Sequence, residues 1–160
     1  MFARAFSFCS TVVLALALSF ASAVAAGAGS EDGIVRVKSA YSFAQTIARL
    51  KSDIVGKGIK FFSEIDQTEL AAGAGIKLHP STLLVFGNPP LGTQFMTSNP
   101  NSGLDWPVRL LVVQDGNGDV WAVYTDFQWI AARHGITDRE AQFKMASTVI
   151  ASITSSVTAK

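Results

Sequence analysis

Two β-rich runs, Val108 to Gln114 and Val120 to Thr125, flank the five turn-forming residues Asp115-Gly116-Asn117-Gly118-Asp119. A connection this short cannot carry the crossover that parallel strands need, so the two runs must form an antiparallel hairpin. That hairpin commits the middle of the chain to an antiparallel sheet. The flanking segments agree with it. Ile34 to Lys38 alternates as a short strand, Ile59 to Ile65 is rich in β-branched and aromatic residues, and Thr82 to Phe86, bounded by Pro80 and Gly87, reads as a strand buried on both faces.

Helical signals sit at the two ends. Ser42 with Gln45 has the spacing of a capping box, and Phe43, Ile47, Leu50 and Ile54 fall on one helical face that closes near Gly56 or Gly58. Thr137 with Glu140 repeats the box before the stripe Phe143, Ala146, Ile150, Ile153 and Val157. Shorter helices are predicted after Asp66, after Asn88 with Pro89 in its first turn and Pro100 marking its end, and from Asp126 through His134. The resulting order is β-α-β-β-β-β-α with short helical insertions. Because no βαβ unit repeats, the chain is expected to be a single-domain α+β two-layer sandwich over residues 34–158, with a mostly antiparallel sheet and two long helices on one face.

The first 26 residues have a different character. Arg4 precedes an apolar run from Val12 to Phe20, followed by small residues containing Ala23-Val24-Ala25. This is the pattern of a secretory signal peptide cleaved near Ala25 or Ala26. The run is nearer ten residues than the roughly twenty that span a bilayer, which disfavours an uncleaved anchor. Residues 27–33 then form a small, polar, flexible lead into the domain. Cys9 is the only cysteine and leaves with the leader. Loss of Arg4 brings Lys+Arg from 13 to 12, equal to the 12 Asp+Glu. The expected mature protein is neutral, cysteine-free, periplasmic or secreted, and without a membrane span. Thiol chemistry and cysteine-held metal clusters are excluded from it, and scattered charge does not suit nucleic acid.

Several residues could carry function. Asn88 and Thr93 belong to a Gly/Pro-rich helix start whose N–H groups suit an anion, although the same residues serve equally as a plain cap. Asp105 and Arg109, beside Trp106, could orient a ligand, or could cap a turn and pair on the surface. His134 is the candidate acid–base residue, partnered by Asp105 or Asp126, with helix capping as its simpler role. His79 and His134 alone do not make a metal site, and no metal or cofactor is expected. Strand alternation puts Trp121 and Tyr124 on opposite faces, so one of them must meet solvent, a ligand or a partner.

The series Gly87-Asn88-Pro89, Gly92-Thr93, Met96, Pro100, Gly103-Leu104-Asp105 and Pro107, then Gly118, Trp121, Tyr124 and Asp126, resembles the domain-of-unknown-function 302 family over roughly residues 34–155. Trp106 departs from it where an aliphatic residue is usual, and His79 where arginine is common. The resemblance implies a compact α+β fold, often dimeric, and brings no reaction with it. The expectation is a binding or accessory module, probed through Asn88, Thr93, Asp105, Arg109 and Tyr124 and working as a homodimer. The alternatives are a small enzyme built on His134 and a carboxylate, or a purely structural dimer.

Overall fold

The computed structural model describes residues 32–159, so the signal peptide expected over residues 1–26 and most of the 27–33 segment fall outside the described residues. Five strands and five α-helices follow one another as β1 (Ile34–Lys38), α1 (Phe43–Gly56), β2 (Lys60–Asp66), α2 (Gln67–Gly73), β3 (Ser81–Gly87), α3 (Pro89–Ser98), β4 (Val108–Gln114), β5 (Val120–Thr125), α4 (Phe127–Arg133) and α5 (Glu140–Ser155). A 3₁₀ turn, Pro100–Leu104, separates α3 from β4. The strands make one antiparallel sheet in the order β1-β5-β4-β3-β2. The fold is α+β, in a single domain.

The hairpin at its centre is fixed by Asp115. One carboxylate oxygen accepts from the backbone N–H groups of Asn117 and Asp119, both at 3.0 Å, and the other accepts from Trp121 Nε1 at 2.9 Å. Gly118 supplies the positive φ of 85° that the turn requires. The Trp121 hydrogen bond is the main reason that the Asp115 carboxyl is held below its ordinary pKa, with the two backbone bonds and Lys38 adding to it against a smaller opposing effect of burial. β1 and β2 lie at opposite edges of the sheet, so the α1 connection between them crosses its full width.

Among the described residues, the two long helices cover one face of the sheet. Leu84 and Phe86, Val108, Leu110 and Val112, and Val120 and Ala122 point into a core shared with Leu50 and Ile54 of α1 and Phe143, Ala146, Ile150 and Ile153 of α5. Tyr124 is in register with Leu110 and so lies on this face, while Trp121, in register with Val113, lies on the other. Leu83, Val85, Leu111 and Val123 share the uncovered face and are only half-buried. β3 is therefore not buried on both faces: its apolar run serves the core on one side and an open surface on the other.

Local signals hold at most element ends. Gln45 Oε1 accepts from the Ser42 backbone N–H at 3.3 Å, Asp66 caps α2 through the Glu69 N–H at 2.9 Å, and Gly58 and Gly135 take the positive φ that closes helices. The second capping box does not form. Ser98 donates to Asp138 and Arg139 Nε donates to the Gln94 carbonyl, so α3 holds both residues out of the helix and α5 begins at Glu140, beyond the reach of Thr137.

Replacing Trp121 by Phe removes the largest contribution to the lowered Asp115 pKa. A carboxyl depressed by folding adds stability above its unfolded pKa and loses it as pH falls through its folded pKa. An NMR titration should therefore show the Asp115 pKa rising toward its ordinary value in Trp121→Phe. The acid side of the stability–pH curve should flatten accordingly.

Candidate functional site

Asp105 ends the 3₁₀ turn, and its side chain is 4% exposed. Burying a charge is costly unless it is paired and fully hydrogen-bonded. Here three side chains meet it. Arg109 Nη2, from β4, donates to Oδ1 at 3.0 Å, and Arg133 Nη1, at the end of α4, donates to both oxygens at 3.2 and 3.1 Å. His134 Nε2 lies 2.6 Å from Oδ2, and its side chain is 6% exposed. Between two guanidiniums the carboxylate is the acceptor throughout, so His134 Nε2 carries the proton of that bond. The Arg109 guanidinium also donates to the Leu104 carbonyl at 2.8 Å, and Asn99 Nδ2 donates to the His134 carbonyl at 2.8 Å. The cluster binds the 3₁₀ turn, β4 and α4 together.

Asp126 is not part of it. Its Oδ1 accepts from the Gln128 N–H at 2.7 Å as the cap of α4, and His134 stands at the opposite end of that helix. Eight residues at about 1.5 Å rise separate the two groups by roughly 12 Å, so only Asp105 pairs with His134. Nor does the His134 side chain cap α4, because its ring is committed to Asp105. His79 is exposed in the segment between α2 and β3.

A second feature lies directly behind the cluster. Trp106 follows Asp105 and rests between Phe95 and Phe127, with ring centroids 5.2 and 5.6 Å away. Its other edge borders an open cleft of about 150 Å³, lined by Phe62 of β2, Gly87 of β3, Pro89, Gly92 and Met96 of α3, and Pro107. Asn88 and Thr93, both exposed, stand at its mouth. Asn88 Oδ1 accepts from the Leu91 N–H at 3.3 Å and Thr93 Oγ1 donates to the Pro89 carbonyl at 2.8 Å, which leaves the Asn88 amide and the Thr93 lone pairs to face a visitor. Gly92 is required by the fit: a Cβ there would come within 2.6 Å of Trp106 Nε1.

The five ligand candidates therefore divide among three places. Asn88 and Thr93 share the cleft, Asp105 and Arg109 share the buried ion cluster, and Tyr124 lies on the helix-covered side of β5. Burial, helped by the charge of Asp126, raises the Tyr124 phenol pKa and keeps it neutral. Arg133, Met96 and Phe62 were missed from sequence, since nothing local marks a residue whose role comes from elements far away in the chain. The spacing did carry one signal, a glycine at 92 inside a helix, where glycine costs about 1 kcal/mol and needs a packing reason.

Asp105→Asn keeps the shape but leaves two guanidiniums and a buried imidazole without their anion. The expected loss is about 3 kcal/mol of stability, measured by urea unfolding. Arg109→Ala removes a half-exposed partner and should cost under about 1 kcal/mol.

The family model "Domain of unknown function DUF302" matches residues 35–153. "Fluoride-specific ion channel FluC 1" of Brucella suis biovar 1 (strain 1330) is 39% identical over 106 residues, 66% of this chain and 42% of that protein. "Fluoride-specific ion channel FluC 2" of Brucella melitensis biotype 1 matches at the same identity over 39% of its length. The chain thus spans about two fifths of the curated relatives it matches. The crystal structure of an uncharacterized conserved DUF302 protein from Bacillus stearothermophilus superposes with a TM-score of 0.71 at 17% identity, covering 78% of this chain and 98% of that one, which is a likeness of fold. With its family model matched over nearly the whole described domain, this chain belongs to the DUF302 family.

Proposed function

We propose that this chain is an exported small-molecule-binding or accessory module that works as a homodimer. The observation that carries the binding reading is the preformed cleft beside Trp106. Ligand sites are concave and mostly apolar, with a few polar groups that fix orientation. The cleft has aromatic, proline and methionine walls with Asn88 and Thr93 at its mouth. The Asp105–His134 pair supports an enzyme less well. General acid–base catalysis needs a group that reaches a proton on the substrate, whereas this imidazole is buried and already committed to a carboxylate held by two arginines. Export is read from the leader at residues 1–26.

The second copy is assigned to the open face of the sheet. Leu83, Val85, Leu111, Val113 and Val123 form a continuous apolar surface across three strands, on the side away from α1 and α5. Such a face is the usual mark of a subunit interface. An accessory role is supported by the Brucella relatives, whose names are those of ion channels although this chain matches less than half of each. Among the described residues no helix is long and apolar enough to cross a membrane, so the reading gives conduction to the rest of those proteins and an attached task to this domain.

Leu111→Lys, on the open face, should convert the dimer to a folded monomer in light scattering coupled to gel filtration. A wild-type monomer at micromolar concentration would end the dimer reading. Native mass spectrometry of protein purified from its own compartment should show a retained small mass. Thr93→Trp, at the cleft mouth, should lose it while melting within about 2 °C of wild type, as expected for an exposed site.

A further inference from the structure

We propose that the open side of the cleft is closed by the second copy of this chain, so that a guest is held in the dimer and released from the monomer. This rests on the binding and dimer readings above and names what controls the site. Strand alternation sets the direction in which the cleft opens. Leu83 and Val85 of β3 lie on the open face of the sheet, and Gly87 follows them on the same side. A side chain added at Gly87 would meet the Phe62 ring at 3.5 Å and Pro107 at 3.7 Å. Phe62, Gly87 and Pro107 are also cleft walls, faced by Pro89, Gly92 and Met96 of α3. The cleft is thus the end of the open face, about 7 Å beyond Val85.

Interface size argues for the occupant. A stable interface engages about 20–30 residues a side and buries about 800 Å² per partner, more than five half-buried aliphatic side chains can supply. The contact must spread beyond the strip. Toward β1 it meets Arg36 and Lys38, and charges belong to an interface rim. Along β3, and along β2 from Ile65 through Ser63 to Phe62, it meets none. Ile65 and Phe62 are large apolar side chains left 38% and 43% exposed. Arg109, beside that path on β4, is tied to the Leu104 carbonyl and Asp105. The uncharged route therefore ends on Phe62, and a partner that covers Phe62 gives the cleft its missing wall. Ligand and dimer then strengthen each other, because coupling between two binding events is reciprocal.

The test is the rate at which N-ethylmaleimide modifies a thiol placed in the cleft of the full chain. Cys9→Ser, outside the described residues, removes the one native thiol, Met96→Cys places one in the cleft, and Ser52→Cys, exposed on α1, is the control. Well above the dimer Kd, Met96→Cys should react about tenfold more slowly than at high dilution, since only dissociated chains react. Ser52→Cys should react equally fast at both concentrations, and adding Leu111→Lys should restore the fast rate of Met96→Cys. Thr93→Cys, at the exposed mouth, repeats the measurement if Met96→Cys does not fold. In native mass spectrometry the mass retained by the wild type should be missing from Leu111→Lys, although Leu111 lies about 13 Å along β4 from Pro107. Equal Met96→Cys rates in dimer and monomer, or a mass still retained by Leu111→Lys, would overturn the closure and leave both underlying readings intact. If no dimer forms, the dimer reading falls and the closure with it. If the wild-type dimer retains no mass, the binding reading falls and the control of a guest with it, while the thiol rates still decide whether the partner covers the cleft.

Discussion

The charge of one buried carboxylate organises the end of the sheet where the cleft lies. A buried carboxylate is costly without partners, and the fold supplies them to Asp105 from two separate elements, Arg109 from β4 and Arg133 with His134 from the end of α4. Once Asp105 is held, the position of the next residue is largely decided. The Trp106 indole is set between Phe95 and Phe127, and Phe95 in turn packs on Phe143 of α5 at 4.1 Å. The ion cluster, the aromatic core and the cleft wall are thus one connected arrangement, in which an electrostatic requirement fixes an apolar surface. Removing the carboxylate would loosen all three together, because broken buried pairs leave uncompensated charge behind.

One-sided coverage of the sheet divides the molecule's work. α1 and α5 complete the core on one face and leave on the opposite face a half-buried apolar strip bordered by Arg36 and Arg109. The cleft lies at the end of that sheet, where α3 leaves β3 and Trp106-Pro107 enters β4. A second copy on the open face and a ligand in the cleft are therefore compatible, since Leu111 and Val123 lie within the sheet and Asn88 and Thr93 at its end. Tyr124 belongs to neither surface. It is turned to the helix side, where burial keeps its phenol neutral.

Much of the fold was legible because its strongest constraints are local. The Asp115–Asp119 turn, the Asn88 and Asp126 caps, and the alternation that separates Trp121 from Tyr124 all depend on residues close in sequence. Thr137 failed as a cap because Ser98 and Gln94 of α3 claim Asp138 and Arg139 first, a tertiary bond that no window of sequence contains. The same limit governs the site. Asp105 with Arg109 is an i, i+4 pair that spacing could suggest, but Arg133 joins them from 28 residues away. Sequence proximity pairs Asp126 with His134, but the helix between them holds the two at its opposite ends. The cleft drew its walls from β2, β3, α3 and the β4 entry, so only its glycine and its mouth were visible beforehand.

The central claim is that the fold holds open a preformed apolar cleft against Trp106. It can be tested without choosing a ligand. Xenon enters dry apolar cavities of this size, so a crystal of the native protein pressurised with xenon should show one strong peak among Phe62, Met96 and Trp106. A cleft filled by ordered water or by a neighbouring side chain, with no xenon bound, would contradict it.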